Sequence, residues 1–229
     1  MSKKTNIITI DGPAGVGKST VSRKVAAATG FIYLDTGAMY RAVGLYLDRC
    51  AVDLDNPEDI ANNLKTLSLE LIPAATEHSD VGVYINGEDF SNIIRTPEMA
   101  MIASRVSAVP LVREILTDIQ RGYGRKGNIV AEGRDTGTVV FPDAAHKFFL
   151  DAKPEERARR RVEQLKKNGI AASLQQTLAL TLERDKNDRT RSIAPLKQAD
   201  DALFIDTTEI SLEEVVSIIL EEIAANDEL

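Results

Sequence analysis

The sequence predicts an α/β protein: a five-stranded parallel sheet covered by helices on both faces, three layers in all, with a small antiparallel β insert beside it. Two observations carry the main sheet. Five short runs, IITI (7–10), FIYLD (31–35), NIVAE (128–132), HKFFLD (146–151) and ALFID (202–206), are largely apolar rather than alternating, which is how strands read when both faces are buried. Helical patterns separate them, so successive strands are joined by crossovers and run parallel. A third observation sets the insert apart. Between 67 and 94 the segment LSLELI…VGVYINGEDFSNII alternates apolar with polar residues, as half-buried strands do, and Asn86-Gly87 sits where a tight hairpin turn belongs.

In chain order, the first strand runs into a glycine-rich turn and a helix near 18–28, and the second into a helix near 38–49. Shorter helical patterns fall near 57–66, before the insert, and near 98–107 and 110–123, after it. Beyond the fourth strand a helix near 154–168 opens on Pro154, whose missing N–H is not needed in a first turn, and another covers 173–187. The fifth strand leads to a helix near 211–224, opened by a capping box of Ser211 and Glu214. The organisation expected is one core, 1–66 with 95–229, interrupted by the insert at 67–94.

With 229 residues and 43% apolar content the chain can build one core of ordinary size. No run approaches the roughly 18 apolar residues of a membrane helix, so no membrane is expected. The N-terminal MSKKTNIITI lacks the long apolar stretch and small-residue cleavage site of a secretory signal. The single cysteine, Cys50, cannot form an internal disulfide, which agrees with a reducing cytoplasm. The net charge of −7 argues against a nucleic-acid polymer as partner, because backbone binding needs a basic face. The charge is uneven, however: 153–191 holds eleven Lys and Arg against six Asp and Glu. A basic segment on an acidic protein suits a small phosphorylated ligand.

Residues 12–19 match the phosphate-binding pattern G-x-x-x-x-G-K-[ST]. Glycines let successive N–H groups turn inward into an anion-binding nest. The helix beginning near Gly17 adds the positive end of its dipole, Lys18 brings a mobile cation, and the Ser19 hydroxyl can complete the shell of a Mg2+ ion bound with ATP. Gly12, Pro13, Ala14, Gly15, Val16, Gly17, Lys18, Ser19 and Thr20 are therefore the expected ATP-binding residues, and the architecture is a three-layer P-loop fold.

A P-loop alone does not separate kinases from switches. The D-x-x-G and [NT]-K-x-D signatures of Ras-type GTPases are absent, whereas arginines suited to a second phosphorylated substrate are present. LDTGAMYR (34–41) follows the second strand, and ligands of open α/β sheets lie beyond the carboxyl ends of the strands. Asp35, Thr36, Tyr40 and Arg41 thus face the same crevice as the P-loop. AEGRDTGT (131–138) adds a cation and an acceptor, Arg134 and Asp135, at the same rim. ERDKNDRTR (183–191) places Arg184, Arg189 and Arg191 among acids. Alone this reads as a solvated helix end; beside a P-loop with no other lid it reads as a phosphate clamp.

These stretches, with IRTPEMAMIASRVSAVPLVR (94–113) and the final strand and helix, resemble the bacterial cytidylate kinases, nucleoside monophosphate kinases acting on CMP and dCMP. The resemblance covers essentially the whole chain. It implies transfer of a phosphoryl group from MgATP to CMP or dCMP, and it places the 67–94 insert in the monophosphate-binding region; a monomer is expected. It further implies that Ser104, Arg113 and Asp135 read cytosine, that Arg184 and Asp188 hold the ribose, and that Tyr40, Arg41, Arg134 and Arg191 hold the α-phosphate. Lys18, Arg134, Arg184 and Arg191 would be catalytic. Glu132 stands where the family more often carries Asp. Another small-molecule kinase, for UMP or shikimate, and a nucleotide-dependent switch are the competing readings.

Other residues read more plainly. Arg157, Arg159, Arg160 and Arg161 suggest a solvated helix face, with Arg157 or Arg161 able to reach ATP phosphates from the base of the lid. His78 and His146 lack the partnered spacing of a metal site. Cys50, at a helix end, is expected to be ordinary packing.

Overall fold

A computed structural model describes residues 5–74, 79–96, 98–167 and 169–227. The main sheet consists of Thr5–Asp11 (β1), Ile32–Asp35 (β2), Ile129–Gly133 (β6), Ala144–Asp151 (β7) and Leu203–Asp206 (β8). All are parallel, in the order β2-β6-β1-β7-β8. The middle strands are the most deeply enclosed: Ile8, Ile10, Val130, Ala131 and Leu150 are fully buried, as strands covered on both faces require. The chain leaves β1 for β2, two places away, and β6 later fills the gap. Such a change of winding opens a crevice at the carboxyl end of the central strand.

Eight helices are described: Lys18–Thr29 (α1), Thr36–Arg49 (α2), Pro57–Leu64 (α3), Glu98–Val106 (α4), Pro110–Gly124 (α5), Pro154–Lys167 (α6), Leu174–Thr190 (α7) and Leu212–Asp227 (α8). Local signals account for their starts. Pro154 opens α6. At α8 the Glu214 N–H donates to the Ser211 hydroxyl at 3.2 Å and the Ser211 N–H donates to the Glu214 carboxylate at 2.7 Å, the expected capping box. At α2 the cap is Asp35, whose Oδ1 accepts from the Ala38 N–H at 2.8 Å.

The insert forms a second, antiparallel sheet of Leu69–Ile72 (β3), Gly82–Ile85 (β4) and Glu88–Asp89 (β5). Asn86 and Gly87 join β4 to β5 with φ of 51° and 82°, the paired left-handed geometry that an Asn-Gly turn supplies. The inner face of this sheet is not separate from the rest. Val83, Ile85, Phe90 and Ile94 are fully buried in the same apolar cluster as the main core, against α2.

Two expectations change in the folded chain. Cys50 is exposed at the end of α2 rather than packed. Arg157 is 2% exposed and is no part of a solvated face; its guanidinium pairs with the buried Asp185 of α7. Arg159 does project into solvent, paired with Glu156, while Arg160 turns back to the Thr207 hydroxyl at 3.3 Å. His78 lies outside the described residues. Among the described residues no helix is long and apolar enough to cross a membrane.

Candidate active site

The P-loop joins β1 to α1 at the centre of the crevice. Gly12 has φ +148°, and a Cβ there would stand 2.0 Å from the Leu150 carbonyl oxygen of β7, so the loop can follow this path only without a side chain. Gly17, at φ 94°, ends the loop. No side chain caps α1 and no acid lies in its first turn, which leaves the first N–H groups for an anion. Replacing Gly12 with alanine is expected to weaken ATP binding at least about tenfold and to cost about 3 kcal/mol of stability, as read by calorimetry and urea unfolding.

Lys18 is 6% exposed, and its ammonium donates to the Pro13 carbonyl. Burial pushes its pKa well below the ordinary lysine value, and the neighbouring Arg134 and Arg184 push in the same direction. Ser19, next in α1, is exposed. Behind the loop, the buried Arg157 donates to the Ala14 carbonyl at 3.2 Å while Asp185 holds it. The one arginine of the α6 cluster that touches the P-loop thus supports its backbone from below.

Facing the loop, Asp35 is a buried carboxylate whose Oδ2 takes Arg41 and Arg95, each at 3.2 Å. Burial works against its charge, but Arg41 first and then Arg95 leave its pKa below the ordinary value. Thr36 donates its hydroxyl to the Glu132 carbonyl at 2.6 Å, tying the start of α2 to the end of β6. The Tyr40 ring lies under the Arg113 guanidinium, 5.5 Å from its carbon, and burial raises the phenol to about 12.

Arg113 is buried and pairs with Asp135, which also takes Arg191 at 3.2 Å. Burial raises the Asp135 pKa in spite of the two arginines. Arg191 donates further to the Ser107 hydroxyl at 3.2 Å and to the Ala194 carbonyl at 2.6 Å. The hydroxyl that joins this group is that of Ser107. Ser104 contributes its carbonyl, which accepts from the Ser107 hydroxyl at 2.8 Å.

The 183–191 stretch is the carboxyl-terminal part of α7 and Arg191 behind it, and it is mixed. Asp188 is buried and accepts from Arg134 at 2.9 Å. Arg184 is half-buried and its Nε is enclosed with no acceptor. Its pKa is lowered to about 10, mainly by burial and then by Arg134, with Asp188 opposing. Of the three arginines in this stretch only Arg189 is a surface group, paired with Asp151 at 3.1 Å. The Nε of Arg41 is also buried without an acceptor. Lys18, Arg134, Arg184 and Arg41 therefore surround one crevice with donors to spare, and anionic oxygens would satisfy them.

Glu132, at the same end of β6, is 4% exposed. The Tyr33 hydroxyl donates to its Oε1, while Oε2 lacks a well-formed hydrogen bond. Burial raises its pKa, with Asp35 adding to the rise, and Lys18 and the Ser19 hydroxyl oppose it. A carboxylate oxygen left over beside an exposed serine hydroxyl fits the hard oxygen donors that Mg2+ takes.

Three residues of this site escaped the sequence reading: Asp11, Arg95 and Ser107. Asp11 sits directly before Gly12, just beyond the apolar run 7–10, and drew no reading of its own. Arg95 follows the insert at once. The S-x-x-S spacing of Ser104 and Ser107 was the available signal for the last.

A parallel sheet with a P-loop at its central strand, and a second cation-lined seat facing it, define an ATP-dependent phosphotransferase. The chain belongs to the cytidylate kinase family, whose profile, described as "Cytidylate kinase", matches residues 8–225. It is 44% identical to the cytidylate kinase of Thermodesulfovibrio yellowstonii over 223 residues, covering 95% of this chain and 97% of that one. It is 49% identical to the cytidylate kinase of Fervidobacterium nodosum, covering 93% and 94%, and 48% identical to that of Thermosipho africanus, covering 93% and 92%.

Proposed function

We infer that the protein transfers the γ-phosphoryl group of ATP to CMP or dCMP, giving ADP and CDP or dCDP. The observation that carries this is the crevice lined by Lys18, Arg41, Arg134 and Arg184, in which the Nε groups of Arg41 and Arg184 are enclosed without an acceptor, between the P-loop and the buried Arg113/Asp135 pair. The acceptor is already a phosphate dianion near neutral pH, so no strong general base is needed. The protein's work is alignment and stabilisation of charge on the transferring group.

Lys18 and the first turn of α1 hold the donor phosphates, and Tyr40, Arg41, Arg134 and Arg191 hold the acceptor phosphate. Arg184 and Asp188 hold the ribose, and α7 excludes water when it settles over the crevice. Mg2+ accompanying ATP would be held by Ser19 with Glu132 beside it, and supplies further neutralisation of the phosphate charge. The insert at 67–94 serves the monophosphate side: Arg95, just beyond it, shares Asp35 with Arg41 and reaches back to the Val81 carbonyl at 3.1 Å. The working unit is a cytoplasmic monomer.

Cytosine presents an amino donor beside N3 and O2 acceptors, and Asp135 with Arg113 offers the complementary pair, helped by Ser104. Uracil inverts two of these groups. The expected result is a kcat/KM for CMP and dCMP at least about a hundredfold above that for UMP, measured by coupled ADP release across CMP, dCMP, UMP, AMP, GMP and shikimate. Equal rates with UMP would remove Asp135 and Arg113 from base reading. ATP turnover indifferent to every acceptor would return the protein to the class of switches.

A further inference from the structure

We propose that Asp11 is a positioning residue for the acceptor site: from the strand that feeds the P-loop, its carboxylate holds the loop that carries Arg134 and Asp135. This rests on the (d)CMP kinase reading above. Asp11 is the last residue of β1 and is 4% exposed. It lies opposite Gly133, where the pairing of β1 with β6 ends. Beyond Gly133 the chain passes through Arg134 and Asp135 into a π-helical turn, Thr136–Val140. The first N–H groups of such a turn have no partner inside it.

Asp135 occupies the position from which a carboxylate ordinarily caps those groups, yet it makes no capping bond. It is engaged with Arg113 and Arg191 instead. Asp11 does the capping from the neighbouring strand. Its Oδ1 accepts from the Thr136 N–H at 2.9 Å and the Thr136 hydroxyl at 2.8 Å, and its Oδ2 accepts from the Gly137 N–H at 2.7 Å. A carboxylate 125 residues away in sequence thus fixes the turn and leaves the Asp135 carboxylate directed at the base-reading group. Burial raises Asp11 to about 6, and the Gly137 and Thr136 N–H groups counter that rise. Those three bonds are its compensation for leaving water.

Sequence position alone would assign Asp11 to ATP, since it adjoins Gly12; the hydrogen bonds assign it to CMP. Asp11→Asn keeps the shape and an acceptor for Thr136 but turns an amide NH2 against the Gly137 N–H. Thr136→Val removes only the hydroxyl bond. CMP and ATP affinities are measured separately by titration calorimetry, with melting temperature and the CMP-to-UMP ratio of kcat/KM alongside. For Asp11→Asn the expected result is CMP binding weakened at least about tenfold and a reduced CMP-to-UMP ratio, with ATP binding within about twofold. Thr136→Val should weaken CMP binding about threefold in the same pattern, and it carries the test alone if Asp11→Asn does not fold. Parallel loss of ATP and CMP affinity, or a lowered melting temperature with CMP affinity intact, overturns the proposal. A wild-type protein that does not bind CMP would instead overturn the kinase reading.

Discussion

Replacing Lys18 with methionine is expected to lower kcat by about three orders of magnitude or more, roughly 4 kcal/mol of transition-state stabilisation, while the melting temperature stays the same or rises. The two halves of this expectation have one cause. Lys18 is enclosed, its pKa is driven well down by burial, and Arg134 and Arg184 stand near it. Glu132 and Asp11 offset this only in part, so in the absence of nucleotide the enclosed cation is a burden on the fold. Methionine fills similar volume without the charge. When phosphates occupy the crevice the balance reverses, and the same ammonium meets charge that shifts as the γ-phosphoryl group departs.

The pH dependence gives a second reading of the same group. Below the ordinary lysine value of 10.5, down to the lowered pKa of the folded state, the unfolded chain binds more protons than the folded one. Wild-type stability should therefore gain from this group as pH rises through that window, and Lys18→Met should lack the gain. Urea unfolding at several pH values compares the two proteins. A kcat within about tenfold of wild type, or about 1.4 kcal/mol, would deny Lys18 a catalytic role.

What the sequence made legible was governed by short-range pattern. Continuous apolar runs located all five main strands, Asn86-Gly87 the hairpin, and Ser211 with Glu214 the start of α8, because each signal lies within a few residues of its effect. The P-loop was legible for the same reason. Partners far apart in sequence were not. Asp11 bonds to Thr136 and Gly137, and Arg157 to Asp185, across 125 and 126 or 28 residues. Nothing near Asp11 announces a turn that needs capping from another strand. Arg157 stood in the run ERARRR, where Ala158 alone breaks the polar pattern and adjoins Arg157 and Arg159 equally, so the buried member could not be told from Arg159. The π-helical turn at 136–140 was hidden as well: TGTVV carries strand-like residues, and its path depends on bonds to Asp11 from outside the segment.

Arg191→Ala is expected to lower kcat about a hundredfold, roughly 2.7 kcal/mol, whereas Arg189→Ala, two residues away, should leave it within about twofold. The pair separates a functional lid from a charged surface. Arg189 is half-exposed and its ion pair with Asp151 is open to water, where such pairs contribute at most about 1 kcal/mol. Arg191 is enclosed, with one N–H on Asp135, one on the Ser107 hydroxyl and one on the Ala194 carbonyl. Removing it does not strand Asp135, which keeps Arg113, so the fold should survive the change. What is lost is a cation whose bond strengthens as charge spreads over the transferring phosphoryl group in a site closed to water. ATP binding without CMP should hardly change if Arg191 serves the acceptor side, as proposed above. Arg184→Ala and Asp188→Ala should raise the KM for CMP as well, through the ribose. Steady-state kinetics with ATP titrations on each variant provide the measurement. Equal activity of the Arg191 and Arg189 variants would reduce the stretch to a solvated helix end, and the lid cations would then have to be sought on α6, where Arg161 remains unassigned.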